Sequence, residues 1–476
     1  MSITKLHLEN FKRFQELNLD LSSQITVILG ENSSGKSSIL KSLLGLKQTI
    51  SPSNEHECWA AQGEYVDLGI YQDFIHKRNI QLPFSVGAEV ESEQIKSAPI
   101  LRVVLGVNHA NITLKYDYDN TTSQARLLQI KAIFKHASDH QKDLTWTLNR
   151  QKTRKNYNLS ISRDMLEIIN SRYKFQLKKP IEPEDKLTLQ NSERLHFKPT
   201  SSSPESPFGL AAALVNQTLS TLTNYIEKNV FYLGPLRSSP SRSYIRSSHS
   251  LAVGVRGEYT PSVLANLEKR SKKVTRGESE NVVNSIAFER WLEKIFPGHF
   301  ANTKTIEELV KLKISNKQTL NYSSNEKSDT ITDVGFGFSQ VFPIIVQAAV
   351  MPSDSTLIIE QPELHLHPLA QTRLADVITD AASQGKKFII ETHSEHFIRG
   401  LQLAISEHRL NKKRGTSKEN IKIYYIKNSP KTHETLELNE FGEFIKEWPS
   451  GFFDESYKTM QKLLLNKMKN NSKEQE

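Results

Sequence analysis

Apolar and polar residues alternate from the start of the chain. Ile3-Thr4-Lys5-Leu6-His7-Leu8-Glu9-Asn10-Phe11 has the period-two pattern of a half-buried strand, and Leu17-Asn18-Leu19-Asp20-Leu21 repeats it. An unbroken apolar run at 25–29 follows, the pattern of a strand covered on both faces. Ser38-Ile39-Leu40-Lys41-Ser42-Leu43-Leu44 then reads as a helix. The order predicts an antiparallel pair feeding a parallel sheet. Further strands are expected at 80–86, 100–105, 112–116 and 125–134, a helix at 210–228 and a buried strand at 230–233. Near the C-terminal end, strands are expected at 357–360, 387–391, 421–426 and 435–438. A helix from about 368 to 384 should close at Gly385. No internal repeat and no long heptad run is visible.

The joint between the 25–29 run and the first helix carries the chemistry. Gly30-Glu31-Asn32-Ser33-Ser34-Gly35-Lys36-Ser37 fits the phosphate-binding pattern G-x-x-x-x-G-K-S, in the strand–loop–helix setting it requires. Gly30 and Gly35 let the backbone curl so that successive N–H groups, with the side chains of Asn32, Ser33, Ser34 and Ser38 around them, face a triphosphate. The helix N-terminus adds favourable partial charge. Lys36 is expected on the β/γ-phosphates, and Ser37 on Mg²⁺. The expected ligands are ATP and Mg²⁺, and the expected fold class is α/β, a P-loop NTPase head of mixed antiparallel and parallel sheets with flanking helices. Lys12 and Arg13 lie close enough in sequence to touch base or phosphate, or to be an exposed pair at a strand end.

Two later strands end in polar residues, where ligands bind in parallel sheets. Leu357-Ile358-Ile359-Glu360 runs into Gln361-Pro362-Glu363-Leu364-His365-Leu366-His367-Pro368, and Lys387-Phe388-Ile389-Ile390-Glu391 runs into Thr392-His393-Ser394-Glu395. Glu360 can hold Mg²⁺ directly or through water, and His393 can reach a γ-phosphate. Upstream, Gly335-Phe336-Gly337-Phe338-Ser339-Gln340 opens an apolar helix, and its Gly337, Ser339 and Gln340 form a second candidate anion site. His365 and His367 have metal-ligand spacing with Glu363 nearby, but no third and fourth ligands follow at zinc spacing; a role in shaping an interface is the reading preferred. Asp73 with His76 is read as structural.

The order of these motifs resembles the ABC-type ATPase heads of the SMC/RecF class and, within it, the overcoming-lysogenization-defect (OLD) type. By that resemblance residues 30–37 are Walker A, 335–340 the signature motif, 357–360 Walker B, the segment from His365 the start of the D-loop, and His393 the switch histidine. Phe231-Tyr232-Leu233-Gly234-Pro235-Leu236-Arg237 and Glu447-Trp448-Pro449-Ser450-Gly451-Phe452-Phe453-Asp454 also look like bacterial anti-phage ATPases such as PtuA of Septu systems. The resemblance implies a homodimer or higher homo-oligomer in which Ser339 of one head closes the ATP site of the other, and a separate effector nuclease under its control. The alternative is a RecF/SMC-like DNA-repair ATPase. Two departures stand out. Gln361 occupies the place of the usual catalytic glutamate, so either Glu363 takes that role or hydrolysis is slow. The 83 residues after His393 contain no Asp-x-Asp pair, so no Toprim nuclease is expected.

Composition adds bounds. The 476 residues are 37% apolar, enough for real cores, and carry a net charge of +9. A single cysteine, Cys58, excludes an internal disulfide framework and a cysteine-rich zinc site. With no signal-peptide core and no apolar run of membrane-spanning length, a cytoplasmic protein without membrane contact is expected. The expected division is a first half-head at 1–135, a polar basic insertion and linker at 136–229, a second half-head at 230–438 and a tail at 439–476. In the insertion, Arg150, Lys152, Arg154, Lys155, Arg163, Arg172, Lys174, Lys178 and Lys179 alternate with Trp146, Tyr157, Tyr173 and Phe175. That mixture suits contact with DNA or RNA, or else an ordinary solvated surface.

Overall fold

A computed structural model describes residues 2–51, 58–91, 101, 105–136, 144–151, 156–173, 181, 187–193, 195–199, 207–247, 251–272, 280–316, 329–333, 335–412, 414–428, 433–446 and 461–463. The chain adopts the expected α/β fold of a P-loop ATPase head, with mixed sheets and flanking helices.

The strands in chain order are β1 (Ser2–Phe11), β2 (Phe14–Asp20), β3 (Ile25–Gly30), β4 (Phe84–Glu91), β5 (Val107–Asp119), β6 (Gln124–His136), β7 (Leu144–Arg150), β8 (Asn156–Ile161), β9 (Leu187–Glu193), β10 (His196–Pro199), β11 (Val230–Leu233), β12 (Tyr244–Ile245), β13 (His299–Ile306), β14 (Leu309–Asn316), β15 (Asp329–Thr330), β16 (Thr356–Glu360), β17 (Lys387–Glu391), β18 (Ile421–Ile426) and β19 (His433–Leu436). One sheet is antiparallel, in the order β10-β9-β8-β7-β6-β5-β4-β1-β2. The second runs β11-β16-β17-β3-β18-β19 and is parallel except for its β19 edge. A small third sheet runs β12-β14-β13, with β15 on β14.

The apolar runs have the physical reason the pattern suggested. Along β3, Ile25, Val27 and Leu29 enter one core and Ile28 the other, so the parallel sheet is buried on both faces. Between the two larger sheets lie the helix Lys36–Ile50 that follows the phosphate loop and the helix Pro207–Asn229. Lys47 ties the two together, donating to the carbonyls of Ile226 (2.9 Å) and Glu227 (3.0 Å). On the other face pack the helices Thr260–Lys272, Glu280–Ile295, Phe336–Val350, Pro368–Ser383 and Glu395–Leu410.

The stretch expected as an insertion contributes β7 to β10 and the helices Arg163–Arg172 and Pro207–Asn229, and its strands continue the nine-stranded sheet. Trp146 and Tyr157 are inside the core, the first donating through its indole N–H to Thr218 at 3.4 Å. Neither ring is therefore available for stacking on a base. Lys152, Arg154, Lys155, Lys174, Phe175, Lys178 and Lys179 lie outside the described residues, as do residues 447–454 and most of the strand expected at 100–105. The strand expected from Ile80 begins at Phe84 instead, because Pro83 has no amide proton to give to a ladder.

Candidate functional site

The phosphate loop is held open from three sides. At Gly30 φ is +146°, and a Cβ there would lie 2.3 Å from the carbonyl oxygen of Ile426 on β18, so only glycine fits. Asn428, just beyond β18, donates to the Glu31 carboxylate (2.8 Å) and the Asn32 carbonyl (3.3 Å). Arg13 donates to the carbonyls of Ser34 (2.7 Å) and Lys427 (2.9 Å), is hydrogen-bonded to the Asn428 side chain, and lies against Gly35. Arg13 therefore braces the loop from outside, while Lys12 turns away to the carbonyls of Leu68 and Asp73. Ser33 takes φ +59° at the crown, Ser34 is fully buried, and the Ser38 amide donates to the Gly35 carbonyl at 3.0 Å. His76 donates through Nδ1 to the Lys12 carbonyl (3.1 Å), and Asp73 accepts from the Ile70 amide; both build the turn beneath.

Lys36, almost buried, folds over the loop and donates to the carbonyls of Gly30 (3.0 Å) and Glu31 (2.6 Å). Burial lowers its pKa, with Glu391 and Glu31 pulling the other way. Ser37 donates to Glu391 Oε1 at 2.9 Å. This is the main addition to the sequence reading, which treated Glu391 only as the end of a strand. Register explains it: β17 lies between β3 and β16, so its last residue falls beside the phosphate loop, with Glu391 directly across from Glu360. The available signal was a carboxylate ending an apolar strand two residues before His393.

Glu360 Oε1 accepts from the Tyr232 hydroxyl at 2.9 Å. Burial raises the pKa of Glu360, and burial followed by repulsion from Glu360 pushes Glu391 up to about 7. Glu391 Oε2 is buried with no hydrogen-bond partner among the described residues. A hydroxyl and two adjacent carboxylates, one with an unsatisfied oxygen, form a hard oxygen-donor set of the kind Mg²⁺ takes, so the residues fit the ion. When bound there, Mg²⁺ supplies positive charge against the β- and γ-phosphates.

Glu363 is engaged elsewhere. Its Oε2 accepts from the Thr392 hydroxyl and its Oε1 from the His393 amide, both at 2.7 Å, and burial raises its pKa. It thus pins Thr392 and His393 to the turn after β16. Gln361 takes φ +45°, and its amide donates to the Glu391 carbonyl at 2.7 Å, which locks that turn to β17. His393 has its pKa lowered by burial and then by Lys36, so a neutral imidazole faces the lysine. Ser394 caps the helix Glu395–Leu410 through the Phe397 amide (2.9 Å).

The glycine-containing segment 335–340 lies on a different side. Gly337 packs against the His365 carbonyl, where a Cβ would lie 2.6 Å away. Phe338 stacks between Phe296 (4.5 Å) and Phe342 (5.3 Å). Ser339 and Gln340 are each 5% exposed. A cleft of about 390 Å³ lies between this segment and the turn carrying His365 and His367. His367 caps the helix Pro368–Ser383, accepting from the Leu369 amide at 3.3 Å. Among the described residues, no three His, Cys, Asp or Glu side chains converge as a metal cluster, and no helix is long and apolar enough to cross a membrane.

Residues 417–463 match a family described as a protein of unknown function, DUF3696. The DNA replication and repair protein RecF of Staphylococcus haemolyticus is 25% identical over 118 residues, 24% of this chain and 31% of that protein. RecF of Staphylococcus carnosus is 24% identical over 188 residues, 36% and 50% of the two chains. The chain thus spans a third to a half of the length of these relatives. Among solved structures, an SMC head bound to the C-winged helix domain of ScpA is 14% identical and covers 92% of this chain and 98% of its own, with a TM-score of 0.42. The SMC head domain from Thermotoga maritima is 10% identical, covers 92% and 100%, and has a TM-score of 0.37. Residues 1–398 match the family described as AAA ATPase domain, and with most of its length inside that match the chain belongs to the AAA ATPase domain family.

Proposed function

We propose that this chain is an ATP-driven switch: an ATPase head that pairs head to tail with a second copy around ATP–Mg²⁺ and serves as the sensor subunit of an anti-phage defence system, controlling a separate effector nuclease. The observation that carries the switch is the chain of contacts Ser37–Glu391 and Glu363–Thr392/His393, which joins the phosphate loop to the switch segment. Lys36 and the loop amides of Gly30, Asn32, Ser33, Ser34, Gly35 and Ser38 bind the phosphates. Ser37 holds the metal with Glu360 and Glu391. Binding frees Lys36 from the Gly30 and Glu31 carbonyls and Glu391 from Ser37, giving ATP the differential contacts a two-state shift needs. His393 reads the γ-phosphate as a neutral imidazole, and Gly337, Ser339 and Gln340 of the second copy complete the site. With Gln361 in place of a base and both Glu363 oxygens occupied, hydrolysis is slow and resets the switch; loss of a general base costs about 10²–10⁴ in rate.

Lys36→Ala tests the reading directly. Titration with ATP and Mg²⁺ should show binding lost, and retained tight binding would count decisively against it. The defence assignment rests on motif order and on the 231–237 and 447–454 segments, and co-purification with a nuclease encoded next to it supports that assignment. The RecF matches favour a second reading, a DNA-repair ATPase that grips duplex. Direct DNA binding with steep salt dependence would select it.

A further inference from the structure

Arg237 closes the run Gly234-Pro235-Leu236-Arg237 just beyond β11, and the roles above leave it unused. It is 8% exposed. Its Nη2 reaches the Glu360 carbonyl at a long 3.4 Å, and among the described residues Nε and Nη1 have no hydrogen-bond partner. The charged or titratable groups facing it are Tyr232, Glu360 and Glu363. Glu360 Oε1 accepts from Tyr232 and the two Glu363 oxygens from Thr392 and His393, rather than from Arg237. Burial lowers its pKa only to about 10, so the guanidinium remains charged at neutral pH. A buried cation with several unmade hydrogen bonds is costly, and its fork-shaped donors match a phosphate.

We propose that Arg237 receives the γ-phosphate of ATP bound in the same chain and passes its presence to the signature helix. The loop that carries it has a route for this. The Ser238 amide donates to the Arg256 carbonyl (2.8 Å), and the Gly234 amide to the Val255 carbonyl (2.9 Å). One residue on, Gly257 lies against Pro343 inside the helix Phe336–Val350. Gln347 of that helix clamps the same loop, accepting from the Val253 amide and donating to the Leu251 carbonyl, both at 2.9 Å. A guanidinium drawn toward phosphate would pull on residues 253–257, and through them on the helix that presents Ser339.

The inference rests on the ATPase-head reading, and one set of titrations separates the two. The full chain, Arg237→Gln, Arg237→Lys and Lys36→Ala are titrated with ATP and with ADP in Mg²⁺, with thermal melts as the check on folding. Arg237→Gln should weaken ATP at least about tenfold and ADP less than about twofold, with Arg237→Lys in between. Equal losses for both nucleotides, or none, overturn the role of Arg237. Tight nucleotide binding by Lys36→Ala overturns the underlying reading instead. If neither Arg237 variant folds, hydrogen exchange on the unaltered chain decides. ATP, and not ADP, should slow exchange at residues 253–257, and equal protection by both overturns the proposal.

Discussion

Glu391 gives the site its pH signature. Its pKa is raised from 4.5 to about 7, so the fold favours the protonated acid. Below pH 4.5 folded and unfolded chains are both protonated there and the residue is neutral in its effect. As pH rises through that value the unfolded chain ionises first, and the cost of burying the group grows until about pH 7. Glu391→Gln removes a cost on the order of 3 kcal/mol and loses one hydrogen bond to Ser37 worth about 1 kcal/mol. Urea denaturation without nucleotide should show the variant about 2 kcal/mol more stable near pH 8, with that gain gone near pH 4.5. No gain near pH 8 would mean that the carboxylate is better solvated than its burial implies. The sequence could not have ranked Glu391 above Glu360. Both end apolar strands, and only the insertion of β17 between β3 and β16 places one of them on Ser37.

At the scale of elements, the helix Phe336–Val350 depends on partners far away in the chain. Its pattern is apolar nearly all round, as expected for a helix buried between the sheet and other helices. Gln347 interrupts the apolar run of its second half and is 1% exposed. Its two hydrogen bonds satisfy backbone groups of a loop that lies some ninety residues earlier. Gln347→Leu keeps the volume and strands the Val253 amide and the Leu251 carbonyl. It should cost about 2–4 kcal/mol in chemical denaturation, and a loss under about 0.5 kcal/mol would show that water replaces the side chain. The helix itself was legible from its apolar run between Val341 and Val350. Its clamp was not, because a glutamine in a helix carries no mark of what it will bond.

Across the whole molecule, the proposed pairing of heads makes its own prediction. Ser339 follows Gly337 and Phe338, which line the cleft with His365, and the proposed pairing gives that face to a second copy. Ser339→Arg should leave ATP binding to the single chain within about threefold while abolishing ATP-dependent dimers in sedimentation velocity. Dimers that form as readily as in the unaltered chain would exclude this face. Aromatic residues between cations at 146–175 suggested a nucleic-acid platform or else a solvated surface, and two of those rings are placed elsewhere. Trp146 and Tyr157 fill the core under the nine-stranded sheet, where their area does more than it could at the surface.

By itself the sequence determined the strand–loop–helix of residues 25–44, the carboxylates and histidine at the ends of two more apolar strands, and hence the class of protein. Those features are local: glycine at a forced turn, a lysine and serine at a helix start, apolar runs of strand length. Only the tertiary structure decided which carboxylate meets Ser37, that Glu363 holds Thr392 and His393, that Arg13 and Asn428 brace the loop, and that Arg237 is buried with donors to spare. Each of these depends on strand order or on contacts between residues tens to hundreds of positions apart. Periodicity reports which face of an element is covered; it carries no information about which element does the covering.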